Sequence, residues 1–79
     1  MKEFYRKVYE NYERLRDAEG LNNYQVSLRL GISTSMFSEW KSDISRPKIE
    51  TLLKIADLFG VSLDTLLEGA RETDDYRTD

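Results

Sequence analysis

Four glycines divide this 79-residue chain into helical units, and that punctuation limits its fold more than any other feature. Gly20, Gly31, Gly60 and Gly69 each follow a stretch of helically spaced apolar residues, where a left-handed C-terminal cap favours a residue without Cβ. The starts are marked as well. Asn22 with Gln25 fits a capping box, and Leu21 with Val26 fits the hydrophobic staple beside it. Ser33 fits the cap of the next helix, with Ile32 and Phe37 as staple, and Ser62 fits the last, with Val61 and Leu66. The lone proline, Pro47, is tolerable at the start of a helix but not inside one. These signals predict helices over 3–19, 23–30, 34–42, 48–59 and 63–68. No strand-like alternation and no internal repeat interrupts them, so the fold class is all-α.

The apolar stripes supply a core. Phe4, Val8, Tyr12 and Leu15 share one face of the first helix, with Tyr5 and Tyr9 beside it. The fourth helix contributes Ile49, Leu52, Ile55, Ala56 and Phe59. The chain contains no cysteine and no histidine, which removes thiolate and imidazole chemistry and most zinc sites. No catalytic set or metal spacing emerges from the remaining residues, so we expect no enzyme, no metal and no cofactor. No run approaches the length of a membrane span, and the N-terminus lacks a signal peptide's apolar stretch, so the chain reads as cytoplasmic.

Net charge is −3, but it is unevenly spread. Within 22–48, Arg29, Lys41, Arg46 and Lys48 outnumber Glu39 and Asp43, while the last ten residues are acidic. The middle of the chain can therefore approach a polyanion. That middle holds two short helices joined by Leu30, Gly31, Ile32 and Ser33, the tight glycine-containing connection of a helix-turn-helix. At 100° per residue, Phe37, Trp40 and Ile44 point to one side of the second helix, and Ser35, Ser38, Glu39 and Ser42 to the other. The outer face is short, polar and rich in Ser and Thr. These are poor helix formers, which suits close approach to a groove better than an ordinary solvated face.

From about Tyr12 to Gly69 the chain resembles the Cro-and-repressor (XRE-type) helix-turn-helix regulators of phages and bacteria. The resemblance rests on Leu21-Asn22-Asn23-Tyr24-Gln25-Val26-Ser27, Leu30-Gly31-Ile32-Ser33 and Phe37-Ser38-Glu39-Trp40. It continues through Arg46-Pro47-Lys48-Ile49-Glu50-Thr51-Leu52-Leu53-Lys54-Ile55-Ala56 and Phe59-Gly60-Val61-Ser62-Leu63-Asp64-Thr65-Leu66-Leu67. It implies a compact five-helix, lambda-repressor-like DNA-binding domain over 1–69, with the helix-turn-helix at 23–42; residues 70–79, polar, acidic and without periodicity, read as a disordered tail.

The implied function is sequence-specific binding of double-stranded DNA by a transcriptional regulator, a repressor, with helix 34–42 in the major groove. Ser33, Thr34, Ser35, Ser38 and Glu39 would face base edges, and Asn22, Asn23, Lys41, Ser42 and Arg46 would meet phosphates. The chain departs from its relatives in carrying Asn23 where many have Gln, and Ser42-Asp43 where Asn-Gly is frequent. Tyr24 and Leu28 also stand where relatives are often polar. One reading helix covers few base pairs, so a weak homodimer is expected, with Leu58, Leu63 and Leu67 as its surface. The competing reading is a protein-interaction module of the same fold, an antitoxin or anti-repressor, whose main partner is another protein.

Overall fold

A computed structural model of the chain describes residues 2–72, and these form helices joined by turns and short irregular segments. Helix α1 spans Lys2–Ala18, α2 Asn23–Leu30, α3 Ser35–Lys41, α4 Ile49–Leu58 and α5 Leu63–Leu66, followed by a 3₁₀ turn at Ala70–Glu72. Among the described residues there is no strand. The all-α expectation holds, with helix ends shifted by a residue or two. The local signals work as read at α2 and α5. Asn22 Oδ1 accepts from the Gln25 N–H at 2.9 Å, and Gln25 Oε1 accepts from the Asn22 N–H at 2.9 Å, closing the capping box. Ser62 Oγ accepts from the Thr65 N–H at 3.1 Å. Ser33 does not cap α3; its hydroxyl pairs with that of Ser35 at 2.7 Å instead.

One closure is used at four helix ends. At Gly20, Gly31 and Gly60 the residue after the glycine donates its N–H five positions back, to Arg16, Ser27 and Ala56 respectively. The fourth instance has no glycine: Asp43 adopts φ 60°, and the Ile44 N–H reaches the Glu39 carbonyl at 2.8 Å. This left-handed turn redirects the chain and corrects the expected placement of Ile44 beside Phe37 and Trp40. Ile44 is 74% exposed, whereas those two are buried. The helical projection ends at Lys41, so periodicity no longer governs Ile44.

The core gathers Val8, Tyr9 and Tyr12 from α1, Val26 from α2, Phe37 and Trp40 from α3, Leu52, Ile55 and Ala56 from α4, and Leu66 and Ala70. Burial of Ala70 corrects the boundary expected at Gly69. The chain remains packed through the 3₁₀ turn because a small side chain there fits against α1, and residues 73–79 of the expected tail lie outside the described residues. Gly69 itself, at φ 80°, lies so close to α1 that a Cβ would meet Lys7 Cε at 2.9 Å. Leu58, Leu63 and Leu67, expected as a dimer surface, are half-buried and pack against the core. Among the described residues, the large apolar side chains that face outward are Tyr24, Leu28, Ile44, Leu53 and, contrary to its expected place in the core, Ile49 at the first position of α4.

Asn11 locks this end of the domain. It is buried, and its Nδ2 donates to the carbonyls of Leu66 and Glu68, both at 2.8 Å, while its Oδ1 accepts from Arg14 Nη2 at 2.6 Å. Replacing Asn11 with Leu strips donors from those two carbonyls. The expected cost is about 2–3 kcal/mol, read as a lower urea midpoint with an unchanged slope.

Candidate nucleic-acid interface

The expected base-facing residues Ser33, Thr34, Ser35, Ser38 and Glu39 are all exposed. Ser35, Ser38 and Glu39 lie on the side of α3 opposite buried Phe37 and Trp40, and Ser33 and Thr34 lead into the helix. Their polar groups already have partners. Thr34 Oγ1 lies 2.7 Å from Ser27 Oγ, a hydroxyl contact that ties the start of α3 to α2. Ser38 Oγ donates to the Ser35 carbonyl at 3.1 Å, and Glu39 Oε1 accepts from Ser45 Oγ at 3.1 Å. A hydroxyl has one proton and two lone pairs, so each serine retains acceptor capacity on the outer face. No Arg, Asn or Gln stands on α3 to make a bidentate base contact.

The residues expected at phosphates are placed differently from one another. Asn22 is exposed at the start of α2, with its Oδ1 engaged in the cap. Asn23 turns inward. Its Oδ1 accepts from Tyr12 Oη at 2.6 Å and Arg16 Nη1 at 2.9 Å, and its Nδ2 donates to Tyr9 Oη at 3.2 Å. With both ends of the amide committed to α1, this side chain anchors α2. Lys41 is exposed, its Nζ 4.0 Å from Glu13 Oε2. Ser42 follows α3 directly, its N–H donating to the Ser38 carbonyl at 3.0 Å. Arg46 is half-exposed; its Nη2 lies 3.2 Å from Asp43 Oδ1, and its guanidinium stands 5.4 Å from the centre of the Tyr5 ring.

Sequence reasoning placed Tyr12 in the core but did not find its role at this interface. Its ring stacks on Phe37 at 5.0 Å and Trp40 at 5.8 Å, while its hydroxyl holds Asn23. The available signal was a tyrosine on a core stripe, whose buried hydroxyl needs a partner, facing a polar residue in the first turn of α2. Among the described residues no cluster of acidic side chains is arranged to hold a metal ion, and no helix is long and apolar enough to cross a membrane.

A four-residue connection, Gly31 to Thr34, that opens on left-handed Gly31, a hydroxyl contact tying the start of α3 to α2, and an exposed polar face on the second helix together form a helix-turn-helix. The helix-turn-helix family model HTH_3 matches residues 13–66, more than half of the chain. The chain belongs to the XRE-type helix-turn-helix family. It is similar, at 33% identity over 60 residues, to the HTH-type transcriptional activator BcrR of Enterococcus faecalis, a match covering 76% of this chain and 29% of BcrR. A second relative is the SPbeta prophage-derived uncharacterized HTH-type transcriptional regulator YonR of Bacillus subtilis (strain 168). There the identity is 28% over 60 residues, covering 76% of this chain and 56% of YonR. The chain thus spans less than two thirds of either relative's length. No solved structure matches it significantly.

Tyr12 yields a pH-dependent expectation. Burial raises its phenol above the ordinary value of 10.0. Below that value the hydroxyl is protonated in both folded and unfolded chains, and its contribution to stability is complete. Above it the unfolded chain releases a proton that the folded chain keeps, so stability falls as pH rises, by at most about 1.4 kcal/mol per pH unit. Tyr12→Phe should cost about 1 kcal/mol at neutral pH. It should also flatten that alkaline loss when urea midpoints are compared across about pH 8 to 11.

Proposed function

We propose that this domain is a sequence-specific DNA-binding transcriptional regulator that seats α3 in the major groove. The observation that carries the proposal is the exposed hydroxyl-rich face of α3, flanked by Lys41 and Arg46 and held rigidly on α2 and α1. Short side chains let the helix axis approach base edges closely; Ser and Thr donate or accept there, and Glu39 accepts from cytosine N4. The backbone N–H groups at the start of α2 and the cations Lys41 and Arg46 meet phosphates on either side. Asn23 contributes by orienting α2 from within. Direct readout by hydroxyls is modest, and groove shape supplies the rest. Specificity at useful length calls for two copies on half-sites about 34 Å apart, paired through the remaining exposed edges of Leu58, Leu63 and Leu67. Occlusion of a promoter by such a dimer is repression, whereas BcrR is a transcriptional activator.

Fluorescence anisotropy on DNA from upstream of the chain's own gene, against a scrambled duplex, tests the proposal. Wild-type protein should prefer the native sequence, with log K falling linearly as log salt rises. Ser38→Ala with Glu39→Ala should erase the preference. Arg46→Gln should weaken both duplexes alike and reduce the salt slope by about 0.9. Equal, weak binding to both duplexes by the wild type would favour the protein-interaction reading instead. Tyr24 and Leu28, 60% and 64% exposed one turn apart on α2, are the observation behind that second reading.

Asp43 also bears on affinity. It is the one described non-glycine residue in the left-handed region, and its carboxylate occupies Arg46 beside the proposed phosphate path. Asp43→Gly should relieve the backbone, remove a repulsive charge and tighten DNA binding several-fold in the same titration, most strongly at low salt.

A further inference from the structure

Arg46 is a half-exposed side chain on an irregular segment, yet two groups restrain it from opposite parts of the chain. Asp43 Oδ1 takes its Nη2 at 3.2 Å, and the Tyr5 ring lies 5.4 Å from the guanidinium. The two restraints differ chemically. The carboxylate occupies donors that a phosphate would need. The ring attracts the cation through its π face and takes up none of the N–H donors.

Tyr5 is itself held in place. Its backbone carbonyl accepts from Trp40 Nε1 at 3.1 Å, and its ring packs edge-on against Phe4 at 5.2 Å. The Trp40 indole belongs to the buried aromatic group on the inner side of α3. The same tryptophan therefore fixes the reading helix and the platform beneath Arg46. Tyr5 stands in the first turns of α1, outside residues 13–66, where the family match lies.

We infer that Tyr5 is a positioning residue for DNA binding, holding the Arg46 guanidinium over its ring so that N–H donors are presented to a backbone phosphate beyond the end of α3. The inference rests on the DNA-binding reading above. An arginine already ordered before binding loses less conformational freedom on meeting phosphate, and the stacking partner need not be displaced.

The experiment is a double-mutant cycle, Tyr5→Leu and Arg46→Gln, on the preferred duplex, with Tyr5→Phe as the conservative variant. Tyr5→Leu should weaken binding about two- to fivefold. It should have no further effect once Arg46 is Gln, and Tyr5→Phe should bind like wild type. In the free protein, the Arg46 side-chain protons should show an upfield ring-current shift in wild type and Tyr5→Phe that disappears in Tyr5→Leu. Circular dichroism confirms that each variant folds. An equal loss from Tyr5→Leu with or without Arg46, or absence of the ring-current shift, overturns this role while leaving the DNA reading intact. A wild type that shows no preference for its own DNA overturns the DNA reading and this role together, and the two failures are thereby distinguished.

Discussion

The arrangement of the two helices in the helix-turn-helix depends on one side chain outside them. Tyr12 is fully buried, and it acts at both ends. Its ring stacks against Phe37 and Trp40, which sets the roll of α3, and its hydroxyl donates to Asn23, which sets the start of α2. A short helix such as α3 is marginal in isolation, and packing of its apolar face supplies its stability. Aromatic stacking is suited to this because it restricts both the distance and the tilt of the helix. Ser27 and Thr34 complete the restraint with a hydroxyl contact across the turn. The outer face of α3 is thus held in one orientation by contacts made on its inner face.

That rigidity bears on how an acidic chain is proposed to meet a polyanion. The net charge of −3 is a property of the whole chain, whereas a docking surface responds mainly to charges within about one Debye length, roughly 8–10 Å at ordinary salt. Lys41 and Arg46 lie beside the end of α3, and each is partly offset by an acid, Glu13 and Asp43. A surface so balanced attracts nucleic acid weakly without the right fit. In the proposed mode of binding, discrimination would rest on shape and on hydroxyl contacts to a greater degree than on charge. The aromatic first helix contributes to this surface from behind, through Tyr9 and Tyr12 at Asn23 and through Tyr5 at Arg46.

Much of the fold was legible because its signals are local. A capping box involves residues three apart, and a left-handed closure involves six, so Asn22, Gln25, Gly31 and Ser62 could be interpreted without knowledge of any distant partner. The polar outer face of α3 was legible for the same reason, as a projection of one helix. Asn23 was not. Its residue type fits a group reaching outward to phosphate, and only the arrival of Tyr9, Tyr12 and Arg16 from α1 turns it inward. Ile44 failed in the opposite direction, since a helical projection was extended past Lys41, where Asp43 reverses the backbone.

The amino-acid sequence by itself determined the all-helical class, the order and approximate limits of five helices, and the helix-turn-helix at their centre. Each of these follows from hydrogen bonds and steric preferences spanning a few residues. Tertiary structure alone decided which polar side chains are committed inward, that Leu58, Leu63 and Leu67 pack against the core, that Ala70 belongs to it, and that Tyr5 lies beneath Arg46. Those outcomes join residues of different segments, from 7 to 57 positions apart. They depend on how whole helices share one small core, which no local preference specifies.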